Sequence, residues 1–306
     1  MEKRRPQFSV RALAEALAVS QSGFHAHRRK PLRVRAVRDA PLAPLIAPLI
    51  APLIAPLIAQ SFAASRKTYG PRRVQADLRA LGHRVGKTRL GRLLRAQALR
   101  PLHKRRFRPQ TTDSRHAHPL AENWLAKVPA PDRPGQVWQS DFTYVPTGEG
   151  WLFVAFTLDA FSRRGVAHHC RADMGAELAT TTFALAVERQ PPPPGLLHHS
   201  DRGVQYAAAA FARLTAAWGV TRSMSRTANP SDNALAESFV ATLKTECLTG
   251  PVPPTRAAAR LAVFAYIETF YNPRRRHSSL GYLSPRDFGK LVHPLNQQPL
   301  SSPSTH

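Results

Sequence analysis

The sequence predicts an α/β domain with a mixed β-sheet, preceded by small all-α units. Two observations predict the sheet. From about residue 136 the pattern turns to short apolar, β-branched and aromatic runs separated by tight turns. The elements then follow in the order β-β-β-α-β-α-β-α, which calls for antiparallel strands first and parallel ones after. A third observation separates the front of the chain. Residues 1–38 carry ten basic and two acidic side chains, and residues 66–110 carry fifteen and one, whereas 111–306 is nearly balanced.

In "FSVRALAEALAVSQSGFHAHRR" (8–29), Val10, Leu13, Leu17 and Val19 recur at helical spacing before a break and Phe24. That reads as a helix-turn-helix unit over 1–38. Residues 39–60 hold four consecutive APLI units, which contain four of the chain's five isoleucines, Ile46, Ile50, Ile54 and Ile58. Twenty uncharged residues could span a bilayer by length. A proline at every fourth position removes helix hydrogen bonds throughout, so 43–58 is expected to be neither a membrane span nor a helix. The run reads as a low-complexity expansion.

A second basic helix-turn-helix-like unit is expected over 61–100, with Val74, Leu78 and Leu81 before the turn at Gly82 and Val85, Leu90, Leu93 and Leu94 after it. Arg72, Arg73, Lys87, Arg89 and Arg92 decorate it and are candidate DNA contacts. Residues 101–135 read as a basic linker. The strands are "VWQSDFTYVP", "WLFVAFTLDA", "GVAHHCR", "GLLHHSD" and "VTRSMS"; helices are expected at 175–190, 207–219, after an N-cap at Ser231 or Asp232, and at 255–271. Residues 136–288 form the α/β domain with its C-terminal block, and 289–306 read as a disordered tail.

The net charge of +25 points to a polyanion, double-stranded DNA, gripped by the first third of the chain. Two cysteines exclude a disulfide framework and a cysteine-rich zinc site. The first ten residues carry charge without an apolar run behind it, so no signal peptide is expected and the cytoplasm is the expected compartment.

Asp141 interrupts an otherwise packable first strand. Asp201 ends the fourth strand, where α/β sheets present functional groups. First and fourth strands are commonly neighbours in such a sheet, so the two aspartates can meet, and Glu237 lies on the helix that crosses that edge. Three hard oxygen ligands suit Mg²⁺ or Mn²⁺, and a pair of ions serves displacement at phosphorus. Lys244, two helical turns after Glu237, is a candidate for holding a DNA phosphate. On spacing alone, a solvated helix face and a loop-capping aspartate explain these residues as well.

The blocks W-x-x-D-F-T-Y, L-D-A-F-S-R-R, H-H-S-D-R-G-V-Q-Y, S-D-N-A-L-A-E-S-F-V-A-T-L-K and Y-N-P-R-R-R-H-S-S-L-G-Y-L-S-P resemble successive blocks of insertion-sequence transposases of the IS-three family. The resemblance implies a ribonuclease H-like, retroviral-integrase-like core that nicks element ends and transfers the freed 3′-OH to another phosphodiester. It implies that Asp141, Asp201 and Glu237 are the catalytic, metal-binding triad, which with the carboxylate chemistry above gives an expected two Mg²⁺ or Mn²⁺ ions, and that Lys244 is the family's basic residue. It also places Arg274, Arg275, Arg276 and His277 in a block expected to touch DNA. A homo-oligomer on DNA, a bacterial nucleoid setting and fusion to an upstream frame are further expectations. Two other readings share these residues: a DNA-binding regulator or inactive copy, and a ribonuclease H-type RNA-cleaving enzyme. The complete carboxylate set argues against the former and the long basic front against the latter. His168, His169, His198 and His199 do not stand in a His2Cys2 zinc pattern, and His168 and Cys170 are expected in the core.

Overall fold

The computed structural model describes residues 9–16, 20–22, 43–102, 119–226 and 230–292. The chain divides into a unit at Met1–Leu57 and a unit at Ile58–His306. Within the first, α1 (Val10–Ala16) is helical as expected, and the remainder of the first helix-turn-helix unit lies mostly outside the described residues.

Helix α2 (Ala43–Ala64) corrects the expectation for the repeat, whose residues 43–58 are helical. Prolines recurring every four residues lose their N–H groups along one stripe, because each would have donated to the carbonyl four residues back. The other three N–H groups of each unit remain available, and the fixed φ of proline is itself helical. Burial supplies the rest: Ile54, Ile58 and Phe62 are buried at four-residue spacing while Leu53 stays 73% exposed. Among the described residues no helix is long and apolar enough to cross a membrane.

Helices α3 (Pro71–Ala80) and α4 (Lys87–Ala96) form the second basic unit, burying Val74, Leu78, Leu90 and Leu94. The turn between them contains Gly82 at φ 86, a left-handed conformation that glycine adopts without strain.

Five strands follow: β1 (Val137–Thr147), β2 (Gly150–Asp159), β3 (Gly165–Arg171), β4 (Leu197–Ser200) and β5 (Thr221–Met224). Their spatial order is β3-β2-β1-β4-β5. The first three are antiparallel, and β4 pairs parallel with both β1 and β5. The helices are α5 (Ala176–Arg189), α6 (Val204–Ala207), α7 (Ala209–Ala217), α8 (Ala234–Glu246), α9 (Arg256–Ala265) and α10 (Pro285–Val292). A π-helical turn, Tyr266–Tyr271, extends α9 and buries Tyr266, Ile267, Phe270 and Tyr271.

Period-two alternation along β1 sorts its side chains between two cores. Trp138 meets Phe183 edge-on at 6.2 Å, Phe142 stacks on Tyr206 at 4.6 Å, and Phe211 joins both aromatic pairs. On the opposite face Phe156 packs against Phe239 of α8 at 4.5 Å, and Phe239 meets Tyr271 at 4.9 Å.

Three further expectations change. The N-cap of α8 is Asn233 rather than Ser231 or Asp232, because the Asp232 carboxylate is committed to Asn123 and to the backbone and guanidinium of Arg226. Residues 289–292 belong to α10, while 293–306 lie outside the described residues. In the expected linker, 103–118 lie outside them too, but 119–135 runs against the sheet: Leu125 N donates to Ser223 Oγ at 3.0 Å and Met224 N to Glu122 O at 3.4 Å.

Candidate active site

The β1–β4 ladder pairs Val137 with Leu197, Trp138 with His198 and Gln139 with His199. The ladder ends there; Asp141 follows two residues on along β1 and Asp201 comes just after the end of β4, close enough that its charge acts on the Asp141 carboxyl. Across the antiparallel ladder Asp141 pairs with Phe156, which packs on α8, so Asp141 shares the face that α8 covers. Glu237 sits exposed in the first turn of that helix, at the positive end of its dipole.

Local chemistry holds the aspartates. Asp141 Oδ1 accepts the Phe142 N–H at 2.8 Å, and Asp201 Oδ1 accepts the Gly203 N–H at 3.0 Å. Gly203 allows that close turn, since a Cβ there would meet Asp201 Oδ1 at 3.0 Å. Burial raises the Asp141 carboxyl well above the usual carboxylate range. Asp201 and Glu237 push it the same way, against the Phe142 N–H and the Lys244 ammonium. Tyr206 lies near enough to be raised by both aspartates after burial itself, and so stays a neutral phenol. Asp141 therefore has both other carboxylates as charge neighbours, with the Lys244 ammonium acting against them.

Lys244 is half-buried, its Nζ 4.5 Å from the centroid of the Tyr144 ring, and Asp141 partly offsets the lowering of its pKa by burial. Gln139 Oε1 and Thr143 Oγ1, on either side of Asp141 along β1, are buried without a hydrogen-bond partner. All-oxygen donors, mutually repelling carboxylates and unpaired oxygens fit a hydrated divalent cation. Among the described residues, no three His, Cys, Asp or Glu side chains stand close enough together to hold a metal ion as they are placed.

The histidines are structural in their contacts. His198 Nε2 pairs with Ser140 Oγ at 2.8 Å, and His199 bridges Ser223 and Ser225. Burial pushes the two rings down to about 3 and about 4, so both stay neutral. Cys170 is buried on β3 and its thiol is pushed up to about 11, while burial pushes His168 down to about 4.

The basic residues part ways. Arg72, Lys87, Arg92 and Arg274 are exposed, and Arg89 is half-buried. Three residues expected at DNA are committed inside the protein instead. Arg275, 6% exposed, pairs bidentately with Glu246 at 2.8 Å through Nε and Nη2, and Glu246 also accepts the Tyr266 hydroxyl at 2.8 Å. Arg276 pairs with Asp77 of α3 and donates to Tyr282 O at 2.8 Å, while its backbone N–H donates to Tyr69 Oη at 2.7 Å. His277 is pushed down to about 2 by burial and then by Arg275, so it carries no charge for a phosphate. Arg73 is half-buried beside Glu246 at 3.8 Å. These contacts tie the basic helical unit to the far end of α8. Only the partners, Asp77 and Glu246, could have revealed this from the sequence, as two of the few acids in a basic chain.

An integrase core domain family matches residues 131–230, a second integrase core domain family matches 218–285, and an HTH-like domain family matches 52–107. The last begins within α2 and takes in both basic helices. The insertion element IS600 uncharacterized 31 kDa protein of Shigella sonnei is 44% identical over 229 residues, covering 75% of this chain and 84% of that protein. Transposase InsF for insertion sequence IS3A of Escherichia coli (strain K12) is 32% identical over 288 residues, covering 94% and 96%. Among solved structures, the simian T-cell lymphotropic virus intasome in complex with PP2A regulatory subunit B56 gamma aligns with a TM-score of 0.45 at 16% identity, over 76% of this chain and 73% of that one.

Proposed function

The chain belongs to the IS3 family of insertion-sequence transposases, and we propose that Asp141, Asp201 and Glu237 are the residues with which it cuts and joins DNA. It is a DNA transposase with an integrase-type polynucleotidyl transferase core. What supports the residue assignment is that Asp201 and Glu237 are both charge neighbours of Asp141, with β1 and β4 paired just before the two aspartates.

Two displacements at phosphorus make up the reaction. Water attacks at the element end, the bond to the 3′ oxygen breaks, and a 3′-OH and a 5′-phosphate result. That 3′-OH then attacks a target phosphodiester, and the displaced target oxygen takes up the proton. Neither step needs a covalent enzyme intermediate or an external energy source, since one phosphodiester replaces another in the joining step. A divalent cation, Mg²⁺ or Mn²⁺ and in this reading a pair, supplies the Lewis acid when bound.

The three carboxylates hold that charge at the end of β4, and Asp201 is kept aimed by the Gly203 turn. Lys244, leaning on Tyr144, meets a phosphate beside them. Arg72, Lys87, Arg89 and Arg92 grip the duplex elsewhere, with Arg73 adding to their field. The working form is a homo-oligomer that brings two ends together in the bacterial cytoplasm at the nucleoid.

Purified full chain, incubated with a duplex carrying the element's terminal sequence, is expected to nick it in Mg²⁺ or Mn²⁺ and to stop on chelation. Nicking that survives chelation would contradict the carboxylate-metal reading.

A further inference from the structure

Between the N-terminal ends of α3 and α4 and the turn that follows His277 lies a cavity of about 560 Å³. Arg72, Arg73, Lys87 and Arg95 line it together with Thr88, Ser278 and Tyr282, and no acidic residue does. Asp77, the single acid of residues 66–110, is spent on Arg276 and Ser61. Arg73 and Arg275 share Glu246, and burial followed by the Arg275 charge lowers the Arg73 pKa. Arg73 is thus partly compensated by Glu246, while no acidic residue lines the cavity beside Arg72, Lys87 and Arg95.

Two backbone features keep it open. Gly91 lies in the middle of α4, where glycine weakens a helix. A Cβ at Gly91 would make only an ordinary 3.7 Å contact with Pro71, so close packing does not demand the glycine. At the opposite lip, Gly281 and Tyr282 are consecutively left-handed, at φ 61 and 66. For tyrosine that is a strained conformation, held by Tyr282 N donating to His277 O and by Arg276 donating to Tyr282 O, both at 2.8 Å. The missing side chain at Gly91 leaves one wall open, while the hydrogen-bonded turn at Gly281 and Tyr282 fixes the other.

We infer that this cavity seats backbone phosphate of the DNA, so that the HTH-like unit and the segment after the catalytic domain grip the same strand. The inference rests on the reading of the chain as a DNA transposase and adds Arg95, Thr88, Ser278 and Tyr282 to its DNA contacts. The first-turn N–H groups of α4, which no side chain caps, face the same anion.

The test is fluorescence anisotropy of the full chain on a labelled duplex of about thirty base pairs, across salt from about 50 to 200 mM. Lys87→Gln and Arg72→Gln should each flatten the plot of log affinity against log salt by about 0.9, whereas Arg79→Gln, outside the cavity, should not. Gly91→Leu fills the cavity while raising helix propensity; it should weaken binding about tenfold with no loss of melting temperature. Tyr282→Phe, with its charge unchanged, should weaken binding about threefold without altering the slope. Wild-type affinity in Gly91→Leu, or equal slopes for Arg79→Gln and Lys87→Gln, would overturn the cavity while leaving DNA binding intact. A thermal shift with inorganic phosphate that Gly91→Leu abolishes, with DNA affinity kept, would make free phosphate the occupant and overturn it too. No binding by wild type would overturn the transposase reading itself.

Discussion

Asp141→Asn, Asp201→Asn and Glu237→Gln are each expected to slow nicking and strand transfer by about 10³-fold or more, some 4 kcal/mol of transition-state stabilisation. Affinity for an end duplex should stay within about twofold of wild type, because the basic helices carry the grip. The separation follows from placement. The carboxylates lie at the end of β4 and the start of α8, whereas the exposed Arg72, Lys87 and Arg92 lie on α3 and α4. Single-turnover cleavage and anisotropy on the same samples give both numbers. Near-normal cleavage by any one variant removes that residue from the set.

Arg275→Leu is expected to cost about 3–5 kcal/mol, because Glu246, at 5% side-chain exposure, would lose its bidentate partner. Glu246→Leu should cost a similar amount, leaving Arg73 and Arg275 facing each other around the Tyr266 hydroxyl. Urea unfolding of both variants measures this, and a loss below about 1 kcal/mol would show the pair to be solvated. The effect reaches catalysis through one helix. Glu246 ends α8 and Glu237 sits in its first turn, so loosening the Arg275 end should lower the cleavage rate even where the chain remains folded.

Much of this was legible in the sequence, for physical reasons. Strand runs such as "WLFVAFTLDA" alternate or stay apolar, and short turns force the first three strands to pair in sequence; β4 then falls beside β1, which brings Asp201 into the charge neighbourhood of Asp141. What stayed hidden depends on partners far away in the chain. Arg276 finds Asp77 across 199 residues and Arg275 finds Glu246 across 29, so "NPRRRHSS" looks like a solvated basic loop until the fold brings those acids to it. The repeat failed differently. The local rule against proline gave way to burial of Ile54, Ile58 and Phe62 along one face of α2. Asn233 stands at the N-cap position of α8 without a side-chain capping bond, while Asp232 is bound to Arg226.

The central claim is that Asp141, Asp201 and Glu237 together hold the divalent cation at which DNA is cut. Titrating Mn²⁺ into the full chain bound to an end duplex, with free Mn²⁺ read by electron paramagnetic resonance, tests it without relying on activity. Saturable binding by wild type that weakens at least about tenfold in each of Asp141→Asn, Asp201→Asn and Glu237→Gln is the predicted result. Unchanged Mn²⁺ binding in these three variants would contradict it.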